Sequence, residues 1–400
     1  ELNPDEARAY RRFIDKAVPI VRTVLPAVRG EVTIRDVPTR IANIARALRS
    51  QPLATMRDVL GPYDSLLKRW LTSDLTRGPV AAFAAHAGVG PSAPGGSLFA
   101  FWQAAYHIFG QWHARGGAQS LIDALVRRLR SSGGEVRCSM PVARIEAPGG
   151  HVRAVVTEGG ERIETSTVIT AIEPKLALLE ILDPPLGGQD GADLAATRRG
   201  NVVQALVHVA TDRLPEYPSA RHGDWNGLQS YVDHLGDLTN AWDEAEVGLL
   251  PDPPPLYSFT NSALDDTLAP AGRHAVYLAS PAAPAEIRGG WEARREEFVQ
   301  ACLSVVESRA PGFKRSVLGT HAWTPDLMQE HERWPGAHPM HLDITPDQLG
   351  PFRPTWRLGR HRTPIEGLYV SGAGTNPSGG VVGTPGRMAA RALLHDRKRG

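Results

Sequence analysis

The spacing of apolar and polar positions changes its period along this chain. After Asn3, Tyr10, Phe13, Ile14, Ala17, Val21, Val24, Leu25 and Val28 recur at helical intervals. Asn3 can cap that helix, with Pro4 in its first turn and Glu6 reaching back. Further helical pieces, Ile41 to Leu48 and Leu66 to Leu71, extend one helical layer to about Leu75. A Gly/Pro-rich joint, Gly88 to Gly96, leads to Phe99, Phe101, Trp102, Tyr106, Phe109 and Trp112, which read as buried core or as the wall of an apolar pocket. Gly116 and Gly117 then open a helix with Leu121, Ile122, Leu125, Val126 and Leu129 on one face. Gly133 and Gly134 end it where a left-handed residue is expected.

From Val136 the period falls to two. Val136, Cys138 and Met140 alternate with polar residues, Val142 to Ala147 and His151 to Thr157 flank Gly149-Gly150, and Arg162 to Ala171 follows the Glu158-Gly159-Gly160 turn. Strand-like runs recur at Val202 to Val209, Leu256 to Thr260 and His274 to Leu278, with a helix at Trp291 to Arg309. The tail reads as a strand from Gly367 to Ser371, a glycine-rich loop from Gly372 to Gly383, and a helix from about Pro385 to His395.

Composition narrows the classes. The chain has 400 residues, enough for a large core or two domains. Lys plus Arg number 44 against 43 Asp plus Glu, so no global field recruits nucleic acid or an anionic bilayer. With 40 Gly and 33 Pro, much of the chain is turn and loop. The two cysteines, Cys138 and Cys302, are too few for a disulfide framework or a thiolate zinc site and read as buried inert thiols. No apolar run reaches the length of a spanning helix, so a soluble, cytoplasmic protein with at most peripheral membrane contact is expected. The start at Glu1, without Met or a signal pattern, reads as processed or truncated.

The most informative stretch is Gly367-Leu368-Tyr369-Val370-Ser371-Gly372-Ala373-Gly374-Thr375-Asn376-Pro377-Ser378-Gly379-Gly380-Val381-Val382-Gly383-Thr384-Pro385-Gly386. A strand enters a loop with few side chains, and the loop enters a helix. Glycines permit close backbone approach, and N–H groups at a helix start offer partial positive charge to phosphate or to an electron-rich ring. A Gly-rich turn packed tightly on its neighbour would show the same pattern. The stretch resembles the C-terminal signature of the phytoene-desaturase-like FAD oxidoreductases, carotenoid and retinoid desaturase or saturase relatives of amine-oxidase type. Arg115-Gly116-Gly117, Pro141-Val142-Ala143-Arg144-Ile145, Ile169-Thr170-Ala171-Ile172-Glu173-Pro174, and Asp347-Gln348-Leu349 with Arg353-Pro354 follow in family order. Within that family the resemblance is closer to the pyridine-nucleotide-disulphide-oxidoreductase-like and ketolase branch.

The resemblance implies an α/β fold of the amine-oxidase type, a two-domain flavoprotein with FAD as cofactor. It implies that Val142 contacts the adenine end through its backbone, that Gly372 and Ala373 lie by the pyrophosphate or ribityl chain, and that Val381, Val382 and Gly383 lie under the flavin ring, with Gly374 and Gly380 also among the cofactor-binding residues. Gly116 and Gly117 should be near the ring too. Asn376 stands where relatives usually carry His, and Ser378 where glycine is usual. The family's opening strand with its Gly-x-Gly-x-x-Gly turn has no counterpart here. Either that unit has been removed from this chain or another polypeptide supplies it, and a second polypeptide carrying the βαβ unit is an expected partner.

The expected division is 1–110 helical and substrate-domain part, 111–180 FAD-domain part, 181–345 substrate domain and 346–400 C-terminal FAD-domain part. Trp102 and Trp112 are candidates for the substrate pocket, and His341 for a catalytic polar group beside the substrate. His331, His338, His341 and Asp343 could suggest a metal site, but Pro339 and the loop composition oppose a rigid metal face, and no metal is expected. The implied reaction is desaturation, oxidation or saturation of a C–C or C–N bond in a largely apolar or amphipathic small molecule. The rival reading is a non-catalytic subunit or scaffold of the same fold that has lost flavin.

Overall fold

The structure is a computed structural model and describes residues 3–28, 38, 52–218, 221 and 223–398. Its strands are β1 (Val142–Glu146), β2 (Ala154–Thr157), β3 (Arg162–Glu164), β4 (Val168–Thr170), β5 (Leu182–Asp183), β6 (Val202–Thr211), β7 (Gln229–Ser230), β8 (Tyr257–Phe259), β9 (His274–Pro284), β10 (Val317–Trp323) and β11 (Leu368–Val370). The chain divides into two compact units, one of Glu1–Val18, Gly61–Arg137 and Asn201–Ala337, the other of Pro19–Leu60, Cys138–Gly200 and His338–Gly400. The sequence set its borders at 110, 180 and 345 instead. Residues 181–200 go with the second unit because Leu182, Leu186 and Leu194 share a core with Leu178.

The first unit is built on the antiparallel sheet β10-β6-β9-β8-β7. The helix Trp291–Arg309 covers one face, where Phe298, Val299, Cys302, Leu303 and Val306 pack on Ala205, Val207, Val209, Val276 and Leu278. The helix Pro4–Val28 starts as its sequence requires, with Glu6 N–H donating to Asn3 Oδ1 at 2.8 Å. Glu6 does not reach back to Asn3, because its carboxylate is buried and accepts from Thr72 and Thr76. Phe101, fully buried and stacked on Phe13 at 5.6 Å, is core rather than pocket wall.

The helix Gly117–Ser131 forms between its glycine signals, with Gly134 N–H donating to Leu129 O at 3.1 Å. Its apolar stripe nonetheless stays in the open, with Leu121, Ile122, Leu125 and Leu129 all exposed. The run Val136 to Met140 forms no strand. Two-residue alternation specifies which faces a strand would present, but a strand also needs a neighbour to pair with, and this run has none among the described residues.

The second unit holds the sheet β3-β2-β1-β5 and the parallel pair β11-β4. The run Arg162 to Ala171, continuous in sequence, is cut in two: β3 pairs antiparallel with β2, while β4 pairs parallel with β11. Thr165 and Thr167 make the break through local hydrogen bonds of the Thr165 hydroxyl. Ile145, Val152, Leu178, Leu182, Leu368 and Val370 fill the core. Cys302 is buried as expected, and burial pushes its thiol pKa far up, whereas Cys138 is exposed. The segment Ile41 to Leu48 lies outside the described residues. No described helix is long and apolar enough to cross a membrane.

Candidate active site

In the second unit β11 delivers the glycine loop. Ser371 N–H still donates to Thr170 O at 2.7 Å, and Gly372 then turns away with φ +88°. A Cβ on Gly372 would lie 2.6 Å from Ala171 O, and one on Gly374 would lie 2.5 Å from Pro174 Cδ and 3.2 Å from His341 Cβ. One on Gly379 would collide with Met340 Sδ. These three glycines are required by the protein's own packing. Gly380 and Gly383 differ: each has positive φ, and a Cβ there would meet nothing within 4 Å. Gly383 caps the helix Thr384–Asp396 without any side chain to accept from its first turn. Between them Val381 is 91% exposed and sits at φ +56°, a conformation that a β-branched residue adopts only under constraint. The loop therefore has a packed front and a bare, apolar rear, an open cradle that a planar, electron-rich group fits.

Arg353 fixes the packed part. Its guanidinium is fully buried and donates to Ala373 O at 3.0 Å, Asp343 O at 3.0 Å, Gln348 O at 2.8 Å, Leu342 O at 3.0 Å and Met340 O. Burial lowers its pKa to about 10, so it remains charged at neutral pH. Five backbone carbonyls thus share one cation, and the loop is tied to the segment Met340 to Gln348. Burial, then the charges of Arg353 and Arg199, hold His341 down to about 4 and His338 down to about 3. Both imidazoles are neutral. His341 is buried against Gly374, with φ +66° and no partner for Nδ1. His338 to Asp343 holds no group of metal ligands, and no such group occurs among the described residues.

In the first unit a cavity of about 790 Å³ lies over the sheet face opposite Trp291–Arg309. Its rings include His86, His208, Tyr257, Phe259, Tyr277 and His321. His86 stacks on Tyr257 at 5.5 Å, and Tyr277 meets His208 edge to face at 5.4 Å. Gly117, Ala118 and Leu268 line it as well. The turn before them is anchored by Asp265, whose Oδ2 accepts from Gly116 N–H at 2.7 Å and whose Oδ1 accepts from the Thr267 hydroxyl at 2.6 Å. Those bonds hold the Asp265 carboxyl down to about 2.

The residues singled out from sequence are distributed unevenly. Gly116 and Gly117 belong to the first unit, with Gly117 lining the cavity. Val142 and the loop from Gly372 to Gly383 belong to the second. Trp102 and Trp112 are not among the lining residues, and Trp112 is 91% exposed, its indole N–H donating to Phe109 O. His341 is not among them either, being packed behind the glycine loop. Sequence reasoning passed over His208, Tyr257, Tyr277 and His321, whose signal was the histidine among the exposed positions of an otherwise apolar strand. It also passed over Asp265, which no local pattern marks.

The model of the family described as "Flavin containing amine oxidoreductase" matches residues 74–394. Among curated relatives, "Pyridine nucleotide-disulfide oxidoreductase domain-containing protein 2" of Rattus norvegicus is 28% identical over 424 residues, covering 97% of this chain and 72% of the relative. A lycopene-forming phytoene desaturase of a Paracoccus species is 23% identical, over 99% of this chain and 76% of its own length. Among solved structures, wild-type putrescine oxidase bound to putrescine superposes with a TM-score of 0.56 at 15% identity, over 98% of this chain and 76% of that one. Cyclohexylamine oxidase from Brevibacterium oxydans gives 0.51 at 14% identity, over 91% of this chain and 76% of that one. These two likenesses establish the amine-oxidase-type α/β fold. The chain belongs to the flavin-containing amine oxidoreductase family, a flavin-dependent oxidoreductase with FAD as its cofactor.

Proposed function

We propose that the protein oxidises, desaturates or saturates a C–C or C–N bond of a largely apolar small molecule, with its first unit receiving the substrate. The observation that carries this is the cavity of about 790 Å³, faced with aromatic rings and lined by Gly117 of the turn that the family resemblance assigns to the flavin. Bound FAD supplies the two-electron acceptor or donor, and the chain supplies orientation and a dry surround. Gly372, Ala373 and Gly374 would follow the diphosphate and ribityl chain, held to shape by Arg353 through Ala373 O. Gly380, Val381, Val382 and Gly383 would lie beneath the ring, and Val142 would face the adenine end through its backbone. Neutral His341 backs the loop at Gly374. The phytoene desaturases among the relatives support a substrate with carbon–carbon unsaturation.

A βαβ unit with a Gly-x-Gly-x-x-Gly turn, carried by a partner polypeptide, is part of the same proposal. It is supported by two features: the exposed stripe Leu121, Ile122, Leu125 and Leu129, and the two-stranded parallel sheet of β4 and β11, which among the described residues no third strand extends beyond the bridge Arg362–Tyr369. Parallel strands are ordinarily flanked and covered.

The test is to denature the native assembly and identify what it releases. Stoichiometric FAD, with the near-ultraviolet and blue bands of oxidised flavin before release, is the expected result. Flavin-free native protein would instead support a non-catalytic scaffold. Mass spectrometry of the same assembly should find the βαβ unit, and an FAD-loaded species of this chain alone would overturn the partner.

A further inference from the structure

The register of the five-stranded sheet writes a shape onto its open face. On β6, Ala205, Val207 and Val209 enter the core, so Leu206, His208 and Ala210 point the other way. His321 on β10 is paired directly with His208 on β6, His208 with Tyr277 on β9, and Tyr277 with Phe259 on β8. Four ring-bearing residues therefore form one row across the strands. Two positions along, the same face carries Gly319, Ala210 and Ala275, again directly paired. A row almost without side chains lies beside a row of rings, and both line the cavity. Strand geometry makes this trough about 10 Å long across three strands, with the rows about 6.7 Å apart. On the far side of the ring row, Leu206 and Trp323 are packed with Met328 of the helix Pro325–Glu332, so the trough is bounded there. Leu268 also lines the cavity.

The trough's chemistry is one-sided. No Asp or Glu lines the cavity among the described residues, so an ammonium group would lose its hydration without gaining a counter-charge. His208 and His321 instead stand opposite each other on adjacent strands, held by ring contacts to Tyr277 at 5.4 Å and Trp323 at 5.7 Å. Neither has a hydrogen-bonded partner among the described residues. Burial, then the neighbouring His321, hold the His208 pKa below its ordinary value, and an anion seated between the two rings would accept from both and offset that effect through a charge-assisted contact.

We propose that this trough is the specificity site of the enzyme: a flat apolar body lies over Gly319, Ala210 and Ala275 against the ring row, and a carboxylate end is held by His208 and His321. The proposal rests on the reading of this cavity as the substrate site. It deepens that reading by naming a carboxylate-bearing, planar substrate class and the small residues that admit it.

Three probes of one shape test it on the flavin-loaded protein by titration calorimetry: 1-naphthoate, 1-methylnaphthalene and 1-naphthylmethylammonium. Naphthoate should bind at least tenfold more tightly than the ammonium, and more tightly than methylnaphthalene. Gly319→Phe should lower naphthoate affinity at least tenfold, because a side chain there enters open space in the trough and not the protein. Should that variant fail to fold, Ala210→Val on the neighbouring strand fills the same space with a residue suited to strands. His208→Gln with His321→Gln should erase the preference for naphthoate while leaving methylnaphthalene bound. Because His208 is held below its ordinary value, naphthoate affinity should rise as pH falls below 6.5 and His208 gains its proton, and methylnaphthalene affinity should not. The other titratable groups facing the trough are His86, stacked on Tyr257, His113, 3.5 Å from Asp265, and the phenols Tyr257 and Tyr277, which burial keeps neutral. Equal or tighter binding of the ammonium, or naphthoate affinity unmoved by the trough-filling substitutions, would overturn the proposal. FAD content measured on each sample keeps this outcome separate from a failure of the flavin reading.

Discussion

The five-stranded sheet of the first unit and the β4–β11 pair of the second solve opposite problems. The antiparallel sheet closes its own hydrogen bonds, buries one face under Trp291–Arg309, and leaves the other free to carry rings and small residues in register. The parallel pair is three residues deep, and its continuation becomes a loop whose shape depends on one buried cation, Arg353, and on glycines that no side chain can replace. The difference teaches where each unit keeps its specificity. In the sheet it lies in side chains that can be exchanged without disturbing the backbone; in the glycine loop it lies in the backbone itself.

The largest break in that comparison should come from Arg353→Met. Five carbonyls would lose their charged donor inside the protein, and the expected loss of stability is about 4 kcal/mol or more, with loss of FAD. Chemical denaturation and the flavin spectrum would read it, and Arg353→Lys should recover only part of each. A smaller loss would mean that the loop keeps its shape unaided.

The two kinds of glycine come next. Gly372→Ala should destabilise the fold by about 2 to 4 kcal/mol, through a positive φ and a collision with Ala171 O. Gly383→Leu meets no protein atom, so it should cost only about 1 to 2 kcal/mol of backbone strain while reducing FAD occupancy at least tenfold. Full occupancy in Gly383→Leu would remove this position from the cofactor cradle.

A pH experiment tests the anchor of the Gly116 turn. Because the Asp265 carboxyl is held below its ordinary 3.8, its contribution to stability is present in full above that value. It is lost as pH falls toward about 2. Asp265→Asn should flatten the fall in stability across that window, measured by thermal unfolding at successive pH values, and an unchanged acid profile would show the bonds to Gly116 and Thr267 to be unimportant. The smallest effect is expected from Trp112→Ala, within about 0.5 kcal/mol in stability and without change in KM, since the ring lies in the open. A raised KM would return Trp112 to the pocket wall.

Much of this was legible in the chain. The glycine loop, the helix after it and the helix Gly117–Ser131 follow from Gly, Pro and periodicity, since those signals act over a few residues. The cavity was not legible, because Gly319, Ala210 and Ala275 come from three strands and acquire meaning only when paired. The aromatic run Phe99 to Trp112 left core and pocket wall open for a related reason: ring content marks a place that needs partners but does not say whether they are core, ligand or another surface.

By itself the sequence determined most of the element types, the place of the glycine loop and the family, because backbone freedom, capping and motif order are written locally. Tertiary structure alone decided that Val136 to Met140 is not a strand, that Glu6 serves Thr72 and Thr76, that Arg353 holds five carbonyls, and that two histidines more than a hundred residues apart stand side by side. Each of those outcomes depends on which distant backbone arrives as neighbour, and pairing between strands fixes that only when the sheet assembles.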